Sequence, residues 1–505
     1  MTTPISHRAA FAREVLRTAL RDQHPPPLTV PGPRTGGAPL PIGIIGGGAA
    51  GLGAAMMLKS LGKPFEILEA SNRVGGRCFT YHFSDTQFDY YDVGAMRFPK
   101  IPPMQPTFDM FKITGVDLLP YLFTSDNAIL YYNDIPYIAP PNPPVQTTDI
   151  FHVGVNEGGP VPQQIADTAP SVLMSTIFGP FGEAFAKSFD EGWAMLKPFD
   201  MLSTRAYIQQ TYPEEYTQAA VTWLETTEFG TSMDNDSFTE AVLDYLEFGD
   251  PYASINPRTP TSNPWFCVNG GTQVLTDAMF SKLEIPLTSV TGKAVNKIAL
   301  APDSSSLAVS VQGEPTPRNY SHVISTMSFG CLQAVDLPTS IPYALKAAIR
   351  CCNYGESTKV GIKFSTRWWQ QLPAPIKGGM SLTDRPTRTI VYPSYGVDDP
   401  TAPGTILASY TWSQDASRLG SLIQGPDTAQ EKQLINMIFN DLAVLHRVSV
   451  KFLTDLYVGH HAWDWCHDDF TRGAFAFFAP GQFSEFFPSI TRPTSQKTEM
   501  TIIDY

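Results

Sequence analysis

The sequence predicts an α/β fold, in which a doubly wound, Rossmann-like parallel-sheet domain is interleaved with a mixed-sheet domain and a helical insertion. Three observations predict it. An apolar strand runs into a glycine cluster and then a helix at IIGGGAAGLGAAMML, residues 44–58. A second strand, FEILEA, closes the βαβ unit by residue 70. Helix-period stretches concentrate between 165 and 260, and strand-like runs return after them.

Bulk properties bound the function. With 505 residues the chain forms two or three units rather than one. A formal net charge of -13 argues against nucleic-acid and anionic-membrane partners. The chain has no run of 18 apolar residues, so no membrane span is expected. Its N-terminus has no apolar signal core, and a cytoplasmic location is expected. Six cysteines (Cys78, Cys267, Cys331, Cys351, Cys352, Cys466) lack CxxC spacing and read as mostly buried thiols in a reducing compartment, with no metal site.

The elements follow in order. Ala9 to Leu20 reads as an amphipathic helix, with Phe11, Val15, Leu16 and Ala19 on one face. A proline-rich linker runs from Pro25 to Pro41. After the βαβ unit, 80–150 is rich in Tyr, Phe, Pro and Asp and reads as short strands and loops. FGEAFAKSFDEGWAML and SFTEAVLDYLEF carry helical periodicity. SLAVSVQ, HVISTM, KVGIKFS and GTILASYTW read as strands, and EKQLINMIFNDLAVLH as an amphipathic helix.

Gly46, Gly48 and Gly51 form G-x-G-x-x-G between strand and helix. The first glycine makes the tight turn, the second lets the backbone approach a pyrophosphate, and the third lets helix pack on strand. The helix start offers N–H groups and the positive end of its dipole to phosphate. Glu69, 23 residues after Gly46, closes the second strand where a carboxylate can accept from ribose hydroxyls. These three contexts together predict dinucleotide binding. Arg73 and Arg77, around Gly75-Gly76, add forked donors suited to phosphate.

GGGAAGLGAA, LEASNRVGGR and YYDVGAMRFP together resemble the flavin-dependent amine oxidase family, in its L-amino-acid oxidase branch. The resemblance covers about 40 to 485. It implies FAD as cofactor. Gly46, Gly48, Ala50, Gly51 and Glu69 would hold its ADP part, and Arg73, Gly76 and Arg77 would run along the pyrophosphate. Met96 and Arg97 complete the implied cofactor contacts, with Val290, beside Ser289, passing the adenine. PWFCVNGGTQVL, with Trp265, Gly270 and Gly271, looks like the family's return into the FAD domain.

On the substrate side, Arg97 stands among small and apolar residues, where a guanidinium needs an anion. Its two readings are a grip on a substrate carboxylate and an ion pair with an internal acid such as Asp92; the resemblance favours the carboxylate, hence an amino acid rather than an amine. The same resemblance makes Lys359 the lysine that holds a water at the flavin, Tyr392 (with Tyr395 as the weaker candidate) a second carboxylate ligand, and Phe475 a wall of the side-chain pocket. The implied reaction takes an L-amino acid and O2 to a 2-oxo acid, ammonia and hydrogen peroxide. An amino-acid 2-monooxygenase of the tryptophan or phenylalanine type is the alternative. A homodimer is one assembly the family allows.

The expected organisation is an FAD-binding domain of 40–80, 262–340 and 455–505, a substrate-binding domain of 5–25, 81–150 and 341–454, and a helical domain of 151–261. The family's closing glycine–glutamate segment does not follow Gln482. On the resemblance, its loss implies either a shortened form with impaired FAD binding or a longer authentic protein, and a parallel sheet lacking a covering helix.

Overall fold

The computed structural model describes residues 39–101, 104–138, 146–227, 230–247, 264–302, 306–490 and 500–502. The expected helix at Ala9–Leu20 lies outside them. The first strand, Ile42–Ile45, leads through the glycine loop into the helix Ala49–Ser60 and returns as Phe65–Leu68. These strands belong to a four-stranded parallel sheet, in which Ile42–Ile45 is flanked by Phe65–Leu68 and His322–Ser325, with Met500–Ile502 at the edge.

Alternation along these strands decides what covers each face. Ile44 and Ile67 point into a cluster with Leu52, Ala55, Leu275 and Met279, the inner faces of helices Ala49–Ser60 and Gln273–Ser281. Ile45, Leu68 and Val323 point the other way. There they meet the antiparallel meander Val295–Leu300, Leu307–Val311 and Arg318–Tyr320, together with Phe483, Phe486 and Phe487 of helix Gln482–Ile490. The second face is therefore covered, contrary to the expectation of a bare sheet.

The second sheet has seven strands, in the order Tyr457–Asp464, Ser357–Phe364, Gly404–Trp412, Thr389–Val391, Met380–Thr383, Leu130–Tyr132 and Ile135–Tyr137. It is mixed: Met380–Thr383 runs parallel to Leu130–Tyr132, and the remaining neighbours are antiparallel. Val360, Ile362, Ile390, Ile406 and Ala408 pack on one face against helix Ala429–His446. The expected boundary at 455 is corrected here, because Tyr457–Asp464 is an edge strand of this sheet. Its partner is Ser357–Phe364, so the segment 455–505 is shared between the two sheets.

The insertion is helical as expected, with helices Gln163–Ala166, Pro170–Lys187, Phe189–Leu196, Thr204–Thr211, Gln218–Thr227 and Phe238–Glu247. The periodic stretch FGEAFAKSFDEGWAML is two helices rather than one. Ser188 adopts an extended conformation and its side chain accepts from the Glu191 N–H, capping the second helix. All six cysteines are free thiols. Cys267 and Cys352 are buried and the other four are half-buried. No helix among the described residues is long and apolar enough to cross a membrane.

Candidate active site

The glycine loop and the segment after Glu69 are stitched together. Gly75 N–H donates to Gly47 O (2.9 Å), and Gly48 bridges Gly75. Gly46 has φ +106°, a left-handed value that disfavours any side chain. A Cβ on Gly51 would lie 2.0 Å from Gly46 O, so helix Ala49–Ser60 packs on its own turn only because that atom is missing. The helix N-cap, Gly48, supplies no side-chain cap to the first-turn amides.

A cavity of about 550 Å³ opens over this loop, within the range of cofactor pockets. Gly46, Gly48, Ala50, Glu69, Arg73, Gly76 and Arg77 line it. Gly51 is buried behind the loop. Glu69 braces the loop: one oxygen accepts Gly47 N–H (2.6 Å), and the other accepts Ser71 N–H and Oγ–H (2.8 and 2.7 Å). Arg73 folds back on its own loop, donating to Gly76 O (2.8 Å) with its guanidinium 4.2 Å from the Phe79 ring centre. Burial pulls its pKa down, against the pull of Glu69. Arg77 donates to Ala474 O (3.0 Å), tying the loop to the chain before Phe475.

Val290 is placed differently from the expectation. It is 1% exposed in the helix-side core, and its carbonyl accepts Glu69 N–H (3.0 Å). The valine in the cavity wall is Val295, on the edge of the meander beside Lys293 and Asn296. Trp463 also lines this cavity.

From Trp463 the site continues across the seven-stranded sheet. Lys359 pairs in register with Trp463 on one side and with Tyr410 on the other. Lys359 is 2% exposed. Its Nζ donates to Gly94 O (2.6 Å) and Asp92 O (3.1 Å), touches Met96 Sδ at 3.5 Å, and lies 4.7 Å from the Tyr410 ring centre. Burial pushes its pKa down to about 7; Asp92 pulls it up and Arg97 pushes it further down. Met96 thus contacts Lys359 rather than the large cavity.

Arg97 stands in an aromatic box. Its guanidinium carbon is 4.6 Å from the Phe123 ring centre and 6.0 Å from those of both Tyr121 and Trp265. Burial raises the Tyr121 hydroxyl pKa and the Arg97 charge draws it back down; the same opposition leaves that of the buried Tyr410 hydroxyl raised to about 12. Asp92, the alternative partner weighed for Arg97, is taken elsewhere: Oδ1 accepts Thr80 Oγ1–H (2.6 Å) and Thr272 N–H (2.8 Å).

Tyr392 is not brought to Arg97. It is fully buried on the helix face of the sheet, and its hydroxyl is hydrogen-bonded to Ser381 Oγ (2.9 Å) and His446 Nε2 (2.6 Å). Its neighbour Val391 faces the site instead, because successive strand residues alternate sides. Tyr395 donates to Tyr90 O at 2.6 Å. Phe475 reaches the site's edge through Trp412, with ring centres 5.5 Å apart, and Trp412 in turn lies 5.4 Å from Tyr410.

A family model for flavin-containing amine oxidoreductases matches residues 49–499. The chain belongs to that family. This amine oxidoreductase is 37% identical over 481 residues to a Dictyostelium discoideum protein named for a bifunctional amine oxidase, covering 90% of this chain and 43% of that protein. It is 34% identical over 507 residues to L-amino-acid oxidase 4 of Hebeloma cylindrosporum, covering 93% and 78%. Its fold matches putrescine oxidase bound to putrescine, with TM-score 0.67 at 16% identity over 92% of this chain and 93% of that one. Cyclohexylamine oxidase from Brevibacterium oxydans IH-35A matches with TM-score 0.68 at 15% identity over the same shares.

FAD is the cofactor of this amine oxidoreductase, and the residues present fit it. Gly48 and Gly76 face each other, and a Cβ on Gly76 would lie 3.3 Å from the Gly48 Cα, so two bare stretches of backbone form the floor on which a diphosphate can rest. The site residue that the sequence reading missed is Tyr410. Its signal was present: in ASYTW it stands on a strand, but its partnership with Lys359 depends on register, and a bulge between Val360 and Gly361 shifts that register locally.

Proposed function

We propose that this amine oxidoreductase is an L-amino-acid oxidase that converts an L-amino acid and O2 to a 2-oxo acid, ammonia and hydrogen peroxide. The observation that carries the reading is the Arg97 guanidinium in its aromatic box, whose charge acts on both Lys359 and Tyr410. A guanidinium there attracts a carboxylate and repels a substrate whose only charged group is an ammonium. That favours an amino acid over a simple amine.

Arg97 grips the substrate carboxylate and Tyr410 donates its hydroxyl to the same group. Tyr121 fixes the guanidinium from behind. Phe123, Trp265 and the Trp412–Phe475 pair exclude water and present flat surfaces to the side chain, which suits large apolar or aromatic amino acids. FAD, held by the Gly46–Gly51 loop and the Arg73–Arg77 segment, would supply the two-electron redox chemistry between substrate and O2. Lys359 Nζ holds a proton, and a water, beside the reacting bond. Loss of two electrons and two protons leaves an imino acid, which water hydrolyses to the 2-oxo acid and ammonia, while O2 takes two electrons and two protons to give peroxide.

Anaerobic titration of the FAD-loaded protein with L-amino acids tests this reading. Bleaching of the oxidised flavin band by L-amino acids, with peroxide formed on readmitting air, is expected. Bleaching by primary amines alone would overturn it, and an amide in place of the 2-oxo acid would point to the monooxygenase.

A further inference from the structure

A lysine ammonium has three N–H donors, and the structure accounts for all three at Lys359. Two go to main-chain carbonyls, Gly94 O at 2.6 Å and Asp92 O at 3.1 Å. The third points at Met96 Sδ, 3.5 Å away. A thioether is a weak acceptor, so this is the donor that Lys359 releases most readily to water or to a reacting oxygen. Met96 Sδ therefore marks the place where Lys359 meets oxygen chemistry. The methionine is half-buried, not sealed in the core. It also lines a pocket of about 40 Å³ whose wall carries Asp92, Tyr121 and Ser394. That gives room and polar partners for a hydrogen-bonding molecule the size of water or peroxide.

Resting on the oxidase reading above, we propose that Met96 is a self-modification site, at which peroxide formed beside Lys359 oxidises the thioether to the sulfoxide. Sδ gives an electron pair to one peroxide oxygen and the O–O bond breaks. The other oxygen leaves as water, carrying both peroxide protons. Sulfur loses two electrons and peroxide gains them. The sulfoxide oxygen is a polar acceptor beside Lys359 Nζ and captures its third donor. Lys359 is then fully engaged, and turnover slows. The protein so carries a brake set by the peroxide it has made.

Exposure alone predicts a different target. Met57 and Met201 are 65% and 73% exposed, so peroxide arriving from bulk solvent reaches them first. Peptide mass spectrometry on the FAD-loaded protein separates the two routes. During turnover of an L-amino acid, with catalase clearing bulk peroxide, Met96 is expected to gain one oxygen while Met57 and Met201 stay unmodified. Reagent peroxide added without substrate should reverse that order. A Met96 that stays a thioether through turnover, or is oxidised no sooner than Met57 and Met201, would overturn the proposal.

Met96→Leu keeps the side-chain volume and removes the sulfur. Measured against its own starting rate, the variant should hold its activity through a run in which the wild type slows. Equal decay in both would remove the brake. Should the variant fail to fold, the wild-type spectra decide alone. If no amino acid reduces the flavin, the protein is cycled between dithionite and air in the presence of catalase. Sulfoxide at Met96 ahead of Met57 and Met201 in that arm means that the substrate reading falls and the site stands; its absence there overturns the site as well.

Discussion

Lys359 and Tyr410 face each other across the antiparallel pair Ser357–Phe364 and Gly404–Trp412, with the ammonium nitrogen 4.7 Å from the centre of the phenol ring. The contact joins the two halves of the site. Lys359 reaches toward the FAD cavity through Trp463, and Tyr410 stands within the field of Arg97. Neither residue has the surroundings of a surface side chain: desolvation is the largest influence on both pKa values.

Replacing Arg97 tests the carboxylate grip. Removing one partner of a desolvated charge pair costs about 2–5 kcal/mol, so Arg97→Ala should raise KM for L-amino acids by about 100-fold or more. Arg97→Lys keeps the charge but loses the fork and should recover only part of it. Steady-state peroxide release reads both, and wild-type KM in the alanine variant would remove Arg97 from the site.

Two tyrosines separate site from scaffold. Tyr410→Phe should raise KM by about tenfold through loss of one hydrogen bond to a charged group. Tyr392→Phe should leave KM alone and lower stability by about 1–3 kcal/mol, because Ser381 and His446 lose a buried partner. Thermal melts alongside kinetics distinguish them; the opposite pattern would restore Tyr392 as the ligand.

The loop glycines should divide in the same way. Gly51→Ala forces a methyl to 2.0 Å from Gly46 O and should destabilise the fold itself. At Gly48, whose φ is -74°, a Cβ would meet only Gly76 Cα at 3.9 Å, so Gly48→Ala should fold normally but weaken FAD binding by blocking the diphosphate floor. Flavin content after dialysis, compared with the melting temperature, reads the difference.

Lys359 predicts the sign of one pH effect. Its pKa is depressed to about 7, so in the folded protein the ammonium is present below that pH and lost above it, whereas an ordinary lysine stays charged to about 10.4. Flavin reoxidation by O2 should therefore slow as pH rises through about 7. Lys359→Met should be uniformly slow with no inflection there; a persisting inflection would assign it to another group.

The sequence by itself determined the dinucleotide half of this protein. Its signals are local: glycines at fixed spacing, an acid 23 residues after Gly46, and a strand–turn–helix period, all within one βαβ unit. Arg97 was readable for the same reason, as a charge in a stretch of small and apolar residues. What tertiary structure decided was everything set by parity and register. Ile390 and Tyr392 fall on the helix face and Val391 on the site face, a one-residue difference that no composition reveals. The pairing of Lys359 with Tyr410 and Trp463 depends on three strands spread over about a hundred residues and on a bulge at Val360–Gly361. Val290 lies outside the meander, after the turn Leu287–Ser289, whereas Val295 opens its first strand and lines the cavity. Side-chain period fixes which residues share a face, but only the folded sheet fixes which face meets the cofactor.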